Sequence, residues 1–429
     1  MNEPSGDDIA NVVLKQFDEL PAKRKPLNRG VGVREWVPLS GIVASGEDGL
    51  TCLALATGMK CLPHSKLPQA NGNVLHDWHA EILCLRSLNH FLLQEVLSLL
   101  SSPSIPSKFL QHRSPDTITQ ASFQPFELKP HIKLFMYCSE APCGDASMEL
   151  TMAAQDDPTP WALPPPINPG EEAEVRNTKA ELPGRANFQL LGCVRRKPSR
   201  PDAPPTLSKS CSDKLATTQY TSILSSITSL FIAPQNMYLH SLVLPETQYS
   251  EVGFTRCFKT RLTGLQNREW GEKDSEYGFH GIGVKTTGRE FGYSRRHEMN
   301  NVQAPEYVSS NISSSWIHGD GKTGGETLVN GALQGRKQFD VRGASRVCRR
   351  RGWKLGIEVL GAMTAAMARI GGGQQVVERI GGCLAVDRYK DLKESEMLRE
   401  RRRVKKEARE CLGGWVKNEG DDEFGVEIS

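Results

Sequence analysis

Apolar positions run through the first third of the chain in two rhythms. "EWVPLSGIVAS" (35–45) and "LTCLALATGMKCL" (50–62) are β-rich runs separated by the turn-like "GEDG", a pattern that predicts a hairpin. From Asp77 to about Leu100 the spacing changes to that of a helix, "DWHAEILCLRSLNHFLLQEVLSLL". Asp77 is placed to cap that helix, and Glu81 falls near its first turn, where an acid suits the helix dipole. "HIKLFMYCS" (131–139) predicts a strand, and "CGDASMELTMAAQ" (143–155) a helix whose start is set by Pro142. "CSDKLATTQYTSILSSITSLF" (211–231) returns to helical character, and "MYLHSLVLP" (237–245) is a short β-like run. A last helix is expected from about Asp391 to Cys411, followed by "GGWVKNEG". No internal repeat is visible.

The segments between these elements read as loops. Residues 101–129 are rich in Ser, Pro and Gln, and 156–206 hold one acidic and one basic Pro-rich stretch. A Gly-rich polar stretch covers about 264 to 300. "GDGKTGG" (319–325) resembles a phosphate loop, but that motif needs glycine where Trp316 stands, so a turn between strands is expected. The resulting division is a short N-terminal segment (1–30), one large domain (31–420) with insertions near 101–129 and 156–206, and a tail (421–429).

Composition narrows the class. With 38% hydrophobic and 24% charged residues the chain is of globular type, and no apolar run reaches the length of a membrane span. "MNEPSGDDIANVVLKQF" lacks the features of a signal peptide. Eleven scattered cysteines predict a reducing, intracellular setting, cytoplasm or nucleus. Net charge is only +3, but Val341 to Glu410 holds 18 Lys and Arg against 9 Asp and Glu. Such a basic stretch is the footprint of a phosphate-rich partner. "LRERRRVKKEAR" taken alone reads equally well as a solvated helix face.

The chemistry concentrates at two predicted helix starts. His79 and Glu81 form H-A-E on one; Cys143, in "APCGD", lies at the other, directly after a strand. A zinc ion bound there with one open position lowers the pKa of its water to roughly 7. A carboxylate beside the metal that does not ligate it can move protons, which suits Glu81. Zinc deaminases carry H-x-E followed by P-C-x-x-C. Here the position three after Cys143 is Ala146, so either the metal site is broken or its last ligand comes from elsewhere in the chain. Cys138 lies within a strand and suits packing; Cys211, in "KSCSDK", begins another helix.

"HAE", "PCGD" and "SCSDK", in that order and at wide spacing, resemble the adenosine deaminases that act on RNA. The resemblance covers about Gly30 to Trp415 and implies an α/β fold: a cytidine-deaminase-like core, a mixed sheet flanked by helices, enlarged by family-specific α/β elements. It implies that His79, Cys143 and Cys211 bind zinc while Glu81 shuttles protons. "VRRKPSRPD" (194–202) is similar to a V-R-x-K-P-G-R-x-D segment of the family's transfer-RNA branch, with Ser199 in place of glycine. Only about thirty residues precede the first core strand, too few for a double-stranded RNA-binding domain. The branch implies hydrolysis of adenosine to inosine at the base immediately 3′ of the anticodon in alanine transfer RNA. An anticodon loop offers unstacked bases that are cheap to extrude. Arg195, Arg196, Lys197 and Arg200 are candidate phosphate contacts.

Editing enzymes of the family also bury inositol hexakisphosphate beneath the active site. The motif match puts Arg86, Lys214, Arg349, Tyr389, Lys393 and Trp415 in that role, with Asp77 as relay towards the metal. Leu85 stands where the editors have a second arginine, and Lys417 is a loose match to a lysine after the tryptophan. No obligate protein partner is implied. The alternatives are a double-stranded RNA deaminase, a catalytically silent RNA-binding subunit with structural zinc, and a free-nucleoside deaminase. Glu81 argues against the silent subunit; the basic half and the large loops argue against the nucleoside enzyme.

Overall fold

An eight-stranded mixed sheet organises the chain in the computed structural model. The structure describes residues 3–29, 32–102, 104–153, 182–184, 190–198, 203–266, 276–301, 304, 306–321, 324–370 and 374–426. Leu39–Gly46 (β1) and Gly49–Thr57 (β2) form the expected antiparallel hairpin, closed by pairing of Gly46 with Gly49. Lys133–Cys138 (β3) pairs antiparallel with the other edge of β1, placing Ser40 opposite Cys138. Leu239–Pro245 (β4) and Gly283–Thr287 (β5) extend that side in parallel. Ile312–Ile317 (β6), Glu326–Val329 (β7) and Ala332–Leu333 (β8) continue antiparallel beyond β2. The order is β5-β4-β3-β1-β2-β6-β7-β8. "GDGKTGG" joins β6 to β7, as expected of a turn, with residues 322–323 outside the described set.

Successive strand residues point to opposite faces, so each face of β1 has its own core. Ile42 and Ala44 pack with Leu83, Leu88 and Leu92 of the helix Ala80–Ser101 (α2). Leu39 and Val43 pack with Ile9, Val13 and Phe17 of the helix Gly6–Asp18 (α1). Ser5 and Asp8 cap α1 reciprocally. At Gly41 a Cβ would lie 2.5 Å from Val13 Cγ1, so glycine lets α1 approach the sheet. The first segment of the chain is thus part of the domain rather than an appendage.

Three shorter helices lie on the α2 side of the chain order: Met148–Ala153 (α3), Cys211–Thr221 (α4) and Glu251–Phe258 (α5). The basic half forms Arg349–Ile370 (α6), Gln374–Leu384 (α7), Tyr389–Glu394 (α8) and Arg399–Leu412 (α9). The expected single last helix is therefore split, by a 3-10 turn at Glu396–Leu398. α6 and α7 were not among the expected elements. Buried Trp353, Val359 and Met363 keep helical spacing in α6, but Gly352, Gly356 and Gly361 interrupt the apolar pattern. The tail is packed too: Phe424 is buried and stacks on Tyr389 with ring centroids 5.0 Å apart.

The stretch 101–129 carries a small antiparallel pair, Leu110–His112 with Phe126–Leu128. Within 264–300 the chain forms β5 and a helix at Arg295–Asn301. Residues 267–275 and most of the insertion near 156–206 lie outside the described set.

Candidate active site and its cationic neighbour

The site begins where β2 ends. The segment after it runs beside the approach to α2: Ala80 N donates to Gly58 O at 2.9 Å and Trp78 N to Lys60 O at 3.1 Å. Asp77 does not cap α2. His79 occupies the cap position without making a side-chain cap bond, which leaves its ring available. Asp77 Oδ1 instead accepts from His79 N at 3.0 Å and fixes the turn before the helix. Glu81 falls at the second helical position and is only 6% exposed.

Cys143 is not on an α-helix. It precedes a 3-10 turn at Asp145–Ser147, and Gly144 between them has φ 107°, a conformation that favours glycine. A Cβ at Gly144 would also lie 2.3 Å from Ser210 Oγ, so glycine lets the two cysteine loops meet. Cys211 opens α4, capped by Ser210. The loops are stitched together: Ser212 N donates to Cys143 O at 3.0 Å, Ser212 Oγ to Pro142 O at 2.8 Å, and Cys211 N to Cys143 Sγ at 3.3 Å.

His79, Cys143 and Cys211 converge, with one donor atom from each inside a 4.8 Å set; Cys143 Sγ lies 3.8 Å from His79 Nδ1. One imidazole nitrogen and two sulfurs are the donor chemistry of zinc, and three protein ligands leave a fourth position open. Cys138 is buried in β3 and bonds Ser40, so it packs rather than ligates. The bond with Cys211 draws the Cys143 thiol well below the ordinary range; Lys197 and His79 add to this, against burial. Burial, then the Cys143 charge, raises the Glu81 carboxyl above its usual value. A carboxyl group raised in this way suits proton transfer.

Lys197 corrects the sequence expectation. It is 4% exposed, and its Nζ donates to Asp77 Oδ2 at 2.8 Å and to Cys211 Sγ at 3.1 Å. It is an interior cation joining the Cys211 sulfur to Asp77, not a surface phosphate contact. Arg195 is likewise interior, 1% exposed, donating to Leu190 O at 2.7 Å and Gly184 O at 3.1 Å. Arg196 is half-buried, and Arg200 lies outside the described residues. Asp77 also accepts from Ser208 Oγ at 2.8 Å and from Lys214. A polar chain thus runs from Cys211 through Lys197 and Asp77 to Lys214.

Next to this polar chain a second polar region has the opposite character, and the Asp77 charge still reaches Arg86 of α2. Arg86, Arg349, Lys393, Arg401, Lys405 and Arg409 crowd together, with Tyr389 and Trp415 among them. Among the described residues neither Arg86 nor Lys405 has a hydrogen-bond or ion-pair partner. Burial, followed by Arg409, Arg401, Lys393 and Arg349, pushes the Lys405 ammonium well below its ordinary range. Burial and Arg349 lower Arg86, and burial and Arg401 lower Arg409 to about 10. Arg409 stacks 4.8 Å over Trp415, beside a cavity of about 890 Å³ that Lys405 and Lys417 also line. Trp415 is half-buried and serves a cation here as well as anchoring the chain. Arg401, Lys405 and Arg409 had no place in the motif match; their signal is four-residue spacing beside buried Val404, Ala408 and Leu412. Cations concentrated this way fit a polyanion, because unanswered interior charge is costly.

No helix among the described residues is long and apolar enough to cross a membrane. The chain matches the profile of the adenosine-deaminase (editase) domain over residues 54–419. It is 38% identical over 355 residues to the tRNA-specific adenosine deaminase 1 of Schizosaccharomyces pombe, covering 81% of this chain and 84% of that protein. The Saccharomyces cerevisiae protein of the same name is 37% identical over 272 residues, covering 61% of this chain and 64% of that protein. The double-stranded RNA-specific editase Adar of Drosophila melanogaster is 27% identical over 256 residues, covering 57% and 35%.

Proposed function

We propose that this chain, a hydrolytic deaminase that belongs to the adenosine-deaminase (editase) domain family, converts adenosine to inosine in transfer RNA, at the base immediately 3′ of the anticodon of alanine transfer RNA. The observation that carries the reading is the convergence of His79, Cys143 and Cys211 beside buried Glu81. The S. pombe likeness, spanning most of both chains, supports transfer RNA over duplex RNA.

His79, Cys143 and Cys211 would hold zinc. When bound, zinc supplies a Lewis acid that makes water nucleophilic at neutral pH. Glu81 takes the two protons of the attacking water in turn, giving the first to N1 of the ring as oxygen adds to C6 and the second, from the C6 hydroxyl, to the departing amine, so that water and adenosine give inosine and ammonia. Lys197 balances the Cys211 sulfur, and Asp77 holds Lys197 in place. The polyanion that fits is inositol hexakisphosphate, which Arg86, Lys214, Arg349, Tyr389, Lys393 and Trp415 would hold together with Arg401, Lys405 and Arg409. It would neutralise the cations beneath the site. Arg196 and Arg200 remain candidate RNA phosphate contacts.

The test is to incubate the purified chain with an unmodified alanine transfer RNA transcript and with a long duplex RNA, then read inosine by sequencing. Inosine beside the anticodon and none in the duplex is expected. Inosine in the duplex alone would overturn the substrate assignment in favour of the duplex-RNA reading.

A further inference from the structure

Each cysteine loop of the site carries a buried aspartate two residues after its cysteine: Asp145 after Cys143 and Asp213 after Cys211, both 0% exposed. One guanidinium reaches both. Arg261 lies in a 3-10 turn, Thr260–Leu262, that follows α5, and its side chain is 5% exposed. Its Nη2 donates to Asp213 Oδ1 at 2.7 Å, and its Nη1 lies 3.5 Å from Asp145 Oδ2. Both carboxylates are anchored to their surroundings. Asp213 Oδ2 accepts from Arg195 N at 2.9 Å and Ser210 Oγ at 2.5 Å. Asp145 Oδ1 accepts from Gly192 N at 2.8 Å and Arg256 Nε at 3.0 Å, while Arg256 Nη2 donates to Asp145 O at 2.7 Å.

We propose that Arg261 is a positioning residue that sets the separation of the two cysteine sulfurs by clamping the aspartates behind them. The proposal rests on the zinc reading of the three ligands. A guanidinium is a planar fork that can satisfy two carboxylates at once; an ammonium on a shorter reach is a point charge. Two buried anions that share one cation also resist drifting apart, because Asp213 would lose its guanidinium and Asp145 would keep Arg256 alone. Among the described residues Arg261 makes no contact with the donor atoms of His79, Cys143 or Cys211. Its effect on the site passes through the loops, whose spacing a four-coordinate metal must match.

The experiment uses the full chain with Arg261→Lys, which keeps the charge and loses the fork, and Asp145→Asn, which weakens the longer contact and serves should the lysine variant fail to fold. Zinc release to a chelator is timed, the thiolate-to-metal absorption of cobalt-loaded protein is recorded, and Tm is measured on the same samples. Expected are release about 10- to 100-fold faster than wild type and an altered cobalt spectrum, with Tm little changed. Wild-type release and spectrum in a folded variant would overturn the proposal alone. So would faster release that merely follows a fall in Tm. A wild-type chain that binds no zinc would overturn the metal reading and this proposal with it.

Discussion

Two neighbouring polar regions, one at the start of α2 and one around its Arg86, balance their charges in opposite ways. Around the cysteines each cation has an anion: Lys197 has Asp77 and Cys211, Lys214 has Asp77, and Arg261 has Asp213 and Asp145. Between α6, α8 and α9 the cations face one another. Of the six cations named there, Lys393, with Asp422 at 2.7 Å, and Arg349, with Asp421 at 3.6 Å, have a close carboxylate among the described residues. The first region is nearly complete and wants a small dication between its donors. The second is an excess of positive charge that wants a large anion. The start of α2 thus carries donors suited to a metal, and Arg86 further along it belongs to a cluster suited to phosphate.

The sharpest break of this comparison is at Glu81. Glu81→Gln keeps shape and removes the proton carrier, so turnover should fall by roughly 10²- to 10⁴-fold while zinc content stays at wild type. Inosine formation and metal analysis on the same sample check it.

Lys405→Met separates the two charge regimes. Were the cations truly unanswered, removing one would relieve repulsion and stabilise the fold. With a polyanion in place the variant should instead lose about 1–3 kcal/mol, read as a fall in denaturant midpoint. Added inositol hexakisphosphate at about one hundred times its Kd should raise the stability of a depleted protein by about 2.7 kcal/mol.

A smaller effect comes from His76, at the edge of the cationic region. Its Nε2 meets Asp421 Oδ2 at 2.6 Å, yet burial, with Arg349 adding to it, lowers the imidazole to about 4. The folded chain keeps His76 neutral while the unfolded chain protonates it near 6.5, so this contribution is full above pH 6.5 and is lost as pH falls towards 4. The slope is about 1 kcal/mol per pH unit at most, and His76→Gln should flatten it in urea titrations across that window.

The smallest effect distinguishes the neighbours Arg195 and Arg196. Arg196→Ala should weaken transfer-RNA binding a few-fold and reduce its salt slope by about one. Arg195→Ala should lower Tm and leave the salt slope unchanged, because that guanidinium is spent on carbonyls inside the protein.

The sequence made some of this legible for physical reasons. The β1–β2 hairpin and α2 follow from strict periodicity, and the three ligand motifs are short local signals that stand at loop–helix junctions. Lys197 was misread because a basic, Pro-rich stretch looks solvated, and only the fold shows it turned inward on Asp77. Arg261 has no local signal at all, since its two partners lie 116 and 48 residues away and meet it only in three dimensions. α6 was hidden by glycines, one of which is needed: at Gly356 a Cβ would lie 2.7 Å from Ile227 Cγ2. In α9 the cations that matter share the buried stripe with Val404 and Ala408, and charge counting alone cannot separate them from the exposed Lys406.

Native mass spectrometry of the intact chain, followed by denaturation and mass analysis of what is released, tests the central claim most directly. The account predicts one zinc ion and one inositol hexakisphosphate per chain, the zinc lost in a Cys143→Ala, Cys211→Ala double variant and the polyphosphate retained. A chain that carries neither and still forms inosine at full rate would contradict it.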